Sequence, residues 1–219
     1  MHRFSWTDWH VTWISLLAPG LIAVVGWYRR KNGRCAAWVA LAAACAAFVS
    51  SPLHRSAMHD YSSHMVEHVL VVLVLAPMAV LAWGPARTTR SATTLAFLTY
   101  VVLVPLYHLT RLGGIVMRSP GEHATELIIF GLVGIFFWCG PYASDMSALE
   151  RSSYVALALP VSIFTGIALH SSERTPFTGM DMTPTLHDVQ RGGLVMAVLS
   201  SILLLVHLGG TNIAARWSQ

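Results

Sequence analysis

The sequence predicts an all-α fold, a polytopic membrane bundle of seven transmembrane helices that forms one domain over residues 1–219. Hydrophobic residues make up 55% of the chain and charged residues only 11%, whereas soluble domains carry about 25% charged residues. The apolar residues form runs that approach the roughly 20 residues a helix needs to cross the hydrocarbon core. Most of the charged residues fall between these runs, which excludes an ordinary soluble domain.

The first two predicted spans are apolar runs on either side of a short cationic loop. The first run ends at Arg29, Arg30 and Lys31 without a small-residue cleavage site, so we expect a retained anchor rather than a signal peptide. The second run begins at Cys35, is rich in alanine and contains no charged residue. Both runs therefore predict helices that lie in the membrane.

The third and fifth spans need polar residues to reach their full length. The apolar run 69–83 would be only about 22 Å long as a helix, and the run 127–138 only about 18 Å. Both are shorter than the hydrocarbon core, which is about 30 Å thick. The polar residues that precede each run are therefore expected inside the membrane zone.

The remaining spans complete the bundle. Pro77, Pro105 and Pro160 lie inside the third, fourth and sixth spans, where proline is expected to kink a helix. The seventh run follows His187 and Asp188. The seven predicted spans cover residues 11–28, 35–49, 64–83, 92–110, 123–140, 153–170 and 189–208.

The distribution of charge predicts the orientation. One side of the predicted membrane carries eight of the 14 cations and two of the ten acids, with four cations in the first short loop, residues 29–34. Cation-rich short loops stay in the cytoplasm. We therefore expect the N-terminus outside and the C-terminus inside. The net charge of +4 comes without a basic patch interleaved with aromatics, so no nucleic-acid partner is predicted.

Histidines are concentrated at the predicted outer face. Only His207 falls on the inner side, where we interpret it as an interfacial residue. Histidine is the commonest metal ligand, so this asymmetry predicts metal handling outside. The ten outer histidines are His2, His10, His54, His59, His64, His68, His108, His123, His170 and His187.

Two motifs carry the strongest metal signal. His64 and His68 are four residues apart at the start of the third span and can share one helical face, with Glu67 beside them. His123 and Glu126 share a face at the start of the fifth span, where a mid-membrane acid costs roughly 2.5–3.5 kcal/mol and usually marks a site. The alternative is that the histidines are wetted by headgroups and the acids interact with the helix dipole.

A third motif opens the seventh span. Asp188 could be a ligand or could cap its own helix, and Gly192 and Gly193 predict close helix packing. Gln190 is unusual inside a span unless it meets polar partners. Met180 and Met182 in an outer loop offer thioethers, which with imidazoles favour Cu(I).

The residue types and their positions predict the following site. The predicted metal ligands are His64, His68, His123, Glu126 and Asp188. Residues that could orient those ligands or relay copper are His59, Glu67, His108, Met180, Met182 and Gln190.

Two other residue types have a plain interpretation. Cys35, Cys45 and Cys139 show no CxxC spacing, which predicts neither a disulfide nor a cysteine metal site. The eight tryptophans fall mostly near span ends, as expected for an aromatic belt at the membrane interfaces.

The three motifs, in this order on the third, fifth and seventh spans, resemble the CtaG family of bacterial caa3-type cytochrome c oxidase assembly factors. The resemblance covers roughly residues 50–209 and rests on His64-Met65-x-x-His68, His123-x-x-Glu126 and Asp188-x-Gln190-x-Gly192-Gly193. Val189 and Arg191 depart from the family pattern, which has Gln and an apolar residue there.

The resemblance implies a multi-pass protein of the bacterial plasma (inner) membrane that is not an enzyme. It would assemble a haem–copper cytochrome c oxidase by binding or delivering copper at the extracytoplasmic face. Its partners would be the catalytic subunit of the oxidase, a copper donor and membrane lipid.

Three alternatives stay open. His64-x-x-Glu67-His68 also fits an inverted zincin motif, which would make the protein a zinc-dependent membrane hydrolase with Glu67 as general base. Two histidines on different helices could be axial ligands of haem. The chain could also be an oxidase-associated subunit without metal.

Overall fold

The computed structural model describes residues 17–28, 34–57, 59–84, 88–110, 112, 120–143, 146–175 and 184–217. Within these ranges every regular element is a helix. The helices, numbered here in chain order, are α1 (Leu17–Tyr28), α2 (Cys35–Ser50), α3 (Pro52–Ala57), α4 (Tyr61–Trp83), α5 (Arg90–Leu109), α6 (Pro120–Cys139), α7 (Ala148–His170) and α8 (Leu186–Trp217).

Five of these helices are long and apolar enough to cross a membrane, namely α4 to α8. They coincide with the third to seventh predicted spans to within a few residues at most ends. The first two predicted spans correspond to α1 and α2, which are shorter apolar helices of 12 and 16 residues. Residues 11–16 of the first span lie outside the described part of the chain. The count of seven spans and the orientation stay predictions.

Glycines allow α7 and α8 to pack closely against each other. A Cβ atom added at Gly166 would lie 2.5 Å from the carbonyl oxygen of Gly193, and one at Gly193 would lie 2.5 Å from that of Gly166. A Cβ at Gly192 would lie 2.6 Å from the ring of Tyr61. The close packing predicted for Gly192 and Gly193 is confirmed, and it seats α8 against both α7 and α4.

A π-helical segment, Val71–Leu75, interrupts α4 and frees two backbone carbonyls. The amide of Ala76 donates to the carbonyl oxygen of Val71 rather than to that of Val72. Pro77 has no backbone N–H that could donate to the carbonyl oxygen of Leu73. Trp138 Nε1 donates to the oxygen of Val72 at 2.8 Å, and His207 Nε2 donates to that of Leu73 at 2.8 Å. Such carbonyls need a partner inside a membrane protein, and α6 and α8 supply one each.

Two interpretations made from the sequence are wrong at this segment. Trp138 is fully buried and belongs to the core rather than to an interface belt. His207 is a half-buried donor to the interrupted helix and its ring packs 4.3 Å from that of Trp138, centroid to centroid. In both cases a ring N–H donates to a backbone oxygen that would accept from a backbone amide in a regular α-helix.

The main core runs between α4, α5, α6, α7 and α8. A smaller cluster around Trp38, Leu41 and Ala82 joins α2 to the end of α4. Many of the large apolar side chains that stay exposed, such as Ile128, Phe164 and Val206, lie on helices long enough to cross a membrane. An apolar periphery of this kind suits contact with lipid.

Candidate metal centre

The N-terminus of α4 is fixed by two carboxylates. Asp60 accepts from the amide of Ser63 at 2.8 Å and from its hydroxyl at 2.6 Å. Asp188, from the first turn of α8, accepts from the amide of Tyr61 at 2.7 Å and from the hydroxyl of Ser62 at 2.7 Å. These bonds cap amides that would otherwise lack partners, and they lock the first turn of α4 onto α8.

Beyond this cap, α4 turns three titratable side chains into the protein. His64, Glu67 and His68 are 0%, 0% and 3% exposed. Residues three and four apart on a helix are neighbours, which places the three side chains on adjoining parts of one surface. A buried carboxylate is strongly disfavoured unless charge or hydrogen bonds compensate it, so Glu67 requires partners from other helices.

The short helix α3 supplies one partner of Glu67. The hydroxyl of Ser51 accepts from the amide of His54 at 3.2 Å, which steadies the first turn of α3. His54 Nδ1 then donates to Glu67 Oε1 at 2.7 Å. The side chain of His54 is 30% exposed, in contrast to the fully buried carboxylate that it meets.

Helix α6 adds a histidine and a second carboxylate, one turn apart. His123 Nδ1 lies 3.3 Å from Glu126 Oε2, and His123 Nε2 lies 2.9 Å from Glu67 Oε2. Glu126 Oε1 lies 3.1 Å from His64 Nε2 and 3.0 Å from His68 Nε2. Both α6 side chains are at most 2% exposed as residues.

Helix α5 completes the surroundings with Tyr107 and His108. The hydroxyl of Tyr107 makes a short hydrogen bond to Glu126 Oε1. His108 is buried, with Nδ1 2.7 Å from the carbonyl oxygen of Val104 and Nε2 3.1 Å from His68 Nδ1. Tyr107 thus hydrogen bonds to Glu126, and His108 hydrogen bonds to His68.

These side chains form two groups with the donor set of a metal site. The inner triad is His64, His68 and Glu126, and the outer triad is His54, Glu67 and His123. In each triad one donor atom from every residue lies within 4.8 Å of the others. Each triad has two imidazoles and one carboxylate, and His123 with Glu126 joins the two.

The hydrogen bonds fix the tautomer of His68. A backbone carbonyl only accepts, so His108 must carry its proton on Nδ1 and present Nε2 as an acceptor. Neutral His68 must then donate from Nδ1, which leaves a lone pair on its Nε2. That lone pair faces Glu126 Oε1, an atom that already accepts from Tyr107 and His64.

Two acceptor atoms 3.0 Å apart repel each other unless a proton or a metal ion lies between them. His68 Nε2 is buried without a hydrogen-bond partner, and so are His64 Nδ1, His123 Nε2 and Glu67 Oε2. The contact between the last two, at 2.9 Å, lacks the geometry of a hydrogen bond. Four such atoms in one place are unusual, because buried polar groups are nearly always paired.

A metal ion fits these donors. Bond lengths near 2.0 Å in a tetrahedral site place neighbouring donor atoms about 3.3 Å apart, close to the separations observed. Imidazole and carboxylate suit copper(II) and zinc, while Cu(I) prefers sulfur. Cys35, Cys45 and Cys139 are free and lie outside both triads. The bond from His68 to His108 is also the kind that orients a metal-bound imidazole.

The structure brings together most, but not all, of the residues predicted from the sequence. His64, His68, His123 and Glu126 meet as predicted neighbours, with Glu67 and His108 in contact with them. Asp188 belongs to neither triad, because its carboxylate caps α4.

Two further predicted residues lie elsewhere, and two cannot be placed. The side-chain Nε2 of Gln190 donates to the carbonyl oxygen of Ser172 at 3.1 Å, which connects the end of α7 to α8. His59 is exposed in the turn between α3 and α4 and belongs to neither triad. Met180 and Met182 lie outside the described residues.

Sequence reasoning missed His54 and Tyr107 as members of the centre. The pair Ser51-Pro52 is a usual start of a helix and could have revealed α3, which points His54 at Glu67. Tyr107 had no such signal, because one aromatic residue near the end of an apolar span does not stand out.

The geometry does not favour a zinc hydrolase or a haem protein. A hydrolase would need Glu67 free beside an ion held by His64 and His68, yet Glu67 is engaged by His54 and His123 in the other triad. The cavity beside His68 and His108 holds about 20 Å³, enough for one water molecule and far too little for a porphyrin.

A comparison with protein families finds one match for the chain. The family model described as cytochrome c oxidase caa3 assembly factor matches residues 21–219. No curated protein and no solved structure matches the chain.

Proposed function

Because the chain belongs to the family of caa3 cytochrome c oxidase assembly factors, we propose that it binds a copper ion in the inner triad and supplies it to the oxidase. The family supports a role in oxidase assembly and association with the oxidase. The buried inner triad supports copper binding and delivery, because an oxidase that contains copper must receive that metal from a carrier. His64, His68 and Glu126 would hold the ion as cargo.

The observation that carries the proposal is the buried contact of His68 Nε2 with Glu126 Oε1, 3.0 Å apart and without hydrogen-bond geometry. A cation between these atoms turns a repulsion into two bonds. Helix α5 holds this arrangement in place through Tyr107 and His108. In this proposal the protein binds an ion and transfers it to the oxidase, and it does not act as an enzyme.

The location of the centre follows from the charge pattern. The first turns of α4 contribute residues to both triads, and the positive-inside rule supports an orientation with that end outside the cytoplasm. We place the protein in the bacterial plasma (inner) membrane, with the centre on the extracytoplasmic side. A copper donor outside the membrane and the catalytic subunit of the oxidase are its proposed partners.

The test is the copper content of detergent-purified protein after dialysis. We expect about one copper ion per chain, because the two buried carboxylates together neutralise one divalent charge. The double variant His64→Ala/His68→Ala should lose it, and so should Glu126→Gln, which keeps the size of the side chain. His187→Ala, an exposed histidine outside both triads, is the control.

Cells that carry the same variants report on the second half of the proposal. Loss of copper from the inner triad should lower the copper content and the activity of the oxidase, while His187→Ala should not. A wild-type protein that retains zinc, or no metal, would overturn the copper assignment. A copper-free variant that supports full oxidase activity would overturn delivery.

A further inference from the structure

The outer triad is a second donor group with its own carboxylate and its own histidines. His54, Glu67 and His123 come from three helices and share no residue with the inner triad. Glu67 Oε2 and His123 Nε2 are buried, lie 2.9 Å apart and have no hydrogen-bond partner. The outer triad thus repeats the feature that marks the inner one.

The two triads differ in their access to the surface. The side chain of His54 is 30% exposed, whereas those of Glu67 and His123 are 0% and 3% exposed. In the inner triad, the side chains of His68 and Glu126 are at most 4% exposed. His54 is therefore the one partly exposed residue among these side chains, and Glu67, His123, His68 and Glu126 are all buried.

A direct contact links the triads. His123 Nδ1 lies 3.3 Å from Glu126 Oε2, and the ring centroids of His123 and His64 are 5.1 Å apart. An ion held by His123 is thus about one side chain away from the inner donors.

Charge balance limits the pair of triads to one divalent ion. Glu67 and Glu126 together carry two negative charges, which match one such ion, whereas a second would leave two positive charges buried. Unpaired buried charge is very unfavourable. The two triads are therefore alternatives for one ion rather than a two-metal centre.

We propose that the outer triad is a receiving site, which accepts a divalent copper ion from outside and passes it to the inner triad. This rests on the proposed function, because it assumes that the inner triad holds the cargo. The ion leaves Glu67 and His123 as it gains Glu126, His64 and His68. Its oxidation state does not change, and no covalent bond of the protein is broken.

The test measures the rates of Cu²⁺ uptake and release by the full-length protein in detergent. Removal of a receiving site slows uptake and release by the same factor, so the dissociation constant is unchanged. We expect His54→Ala to lower both rates about tenfold, the lower end of the effect of losing a residue that supports a metal site. His54→Gln, which can still hydrogen bond to Glu67, should do the same if the alanine variant folds poorly.

Arg55→Ala is the matched control, since Arg55 is the exposed neighbour of His54 on α3. Its rates should equal those of the wild type. Unchanged rates in both His54 variants would overturn the proposal, because the ion would then enter elsewhere. A weaker dissociation constant with an unchanged uptake rate would overturn it too, because His54 would then be a ligand of one single site.

The wild-type protein separates this inference from the proposed function. Two copper ions bound with similar affinity would overturn the single-ion scheme but leave copper binding intact. A wild-type chain that retains no copper after dialysis would overturn the proposed function and the receiving site together.

Discussion

Replacing His108 by leucine should weaken copper binding even though His108 belongs to neither triad. In the wild type His108 accepts from His68 Nδ1 at 3.1 Å and donates to Val104 at 2.7 Å. This keeps the proton of His68 on Nδ1 and the lone pair of Nε2 directed at Glu126. Without the acceptor, the proton of His68 can move to Nε2 and donate to Glu126, so that copper must displace it.

The expected loss follows from the orienting role of this bond. Removing the hydrogen-bond partner of a metal-bound histidine lowers metal affinity by about 10–100-fold, which equals about 1.4–2.7 kcal/mol. The stability of the metal-free protein should change little, because His68 gains a bond to Glu126 as it loses one to His108. Affinity and stability are thus separated in one variant.

The assay combines a competition titration with Cu²⁺ and a thermal unfolding curve of the metal-free protein. His170→Leu is the matched control, because His170 Nδ1 also donates to a backbone carbonyl, that of Gln190, but touches neither triad. If His108→Leu binds copper as tightly as His170→Leu does, the tautomer of His68 has no influence and the reasoning is refuted. His108→Gln, which offers an acceptor oxygen, should recover part of the affinity.

Three further predictions concern the frame of the bundle, each read by thermal unfolding in detergent. Gly166→Val should destabilise the folded protein by about 1–3 kcal/mol, because the new side chain would overlap backbone atoms of α8. Gly209→Ala, in open space, should leave the stability unchanged. Equal losses of stability in the two variants would contradict the close packing. His207→Leu should lower the stability by about 1–3 kcal/mol, because the buried carbonyl of Leu73 would lose its partner. Adding Pro77→Ala should restore stability by supplying a backbone amide. A double variant no more stable than the single one would argue against the pairing of His207 with Leu73. Asp188→Ala should cost about 1–2 kcal/mol as a lost cap yet leave the copper affinity unchanged in a Cu²⁺ titration, whereas a loss of copper would return Asp188 to the ligands.

The helices and most of the centre could be predicted because the membrane imposes simple demands on the sequence. Apolar runs mark α4 to α8, and the shortness of two runs shows that His64, His68, His123 and Glu126 must be drawn inside. A buried histidine or acid at the end of such a run has few roles other than a site. These residues were therefore found by length and polarity alone.

The rest could not be predicted because it depends on contacts between distant parts of the chain. Asp188 has the same local sequence whether it binds metal or caps α4, and only the position of α8 beside Tyr61 decides between them. His54 enters the centre through a helix of six residues, too short for a periodic pattern. The pairing of His108 with His68 likewise depends on how α5 lies against α4.

The π-helical segment of α4 changes how its sequence relates to its surfaces. A π turn accommodates one additional residue, and one residue corresponds to about 100° of rotation in an α-helix. The half of α4 that carries His64 to His68 is thereby out of phase with the half that packs against α2 and α6. A helical wheel drawn with a single period over Tyr61–Trp83 assigns the wrong face to one half.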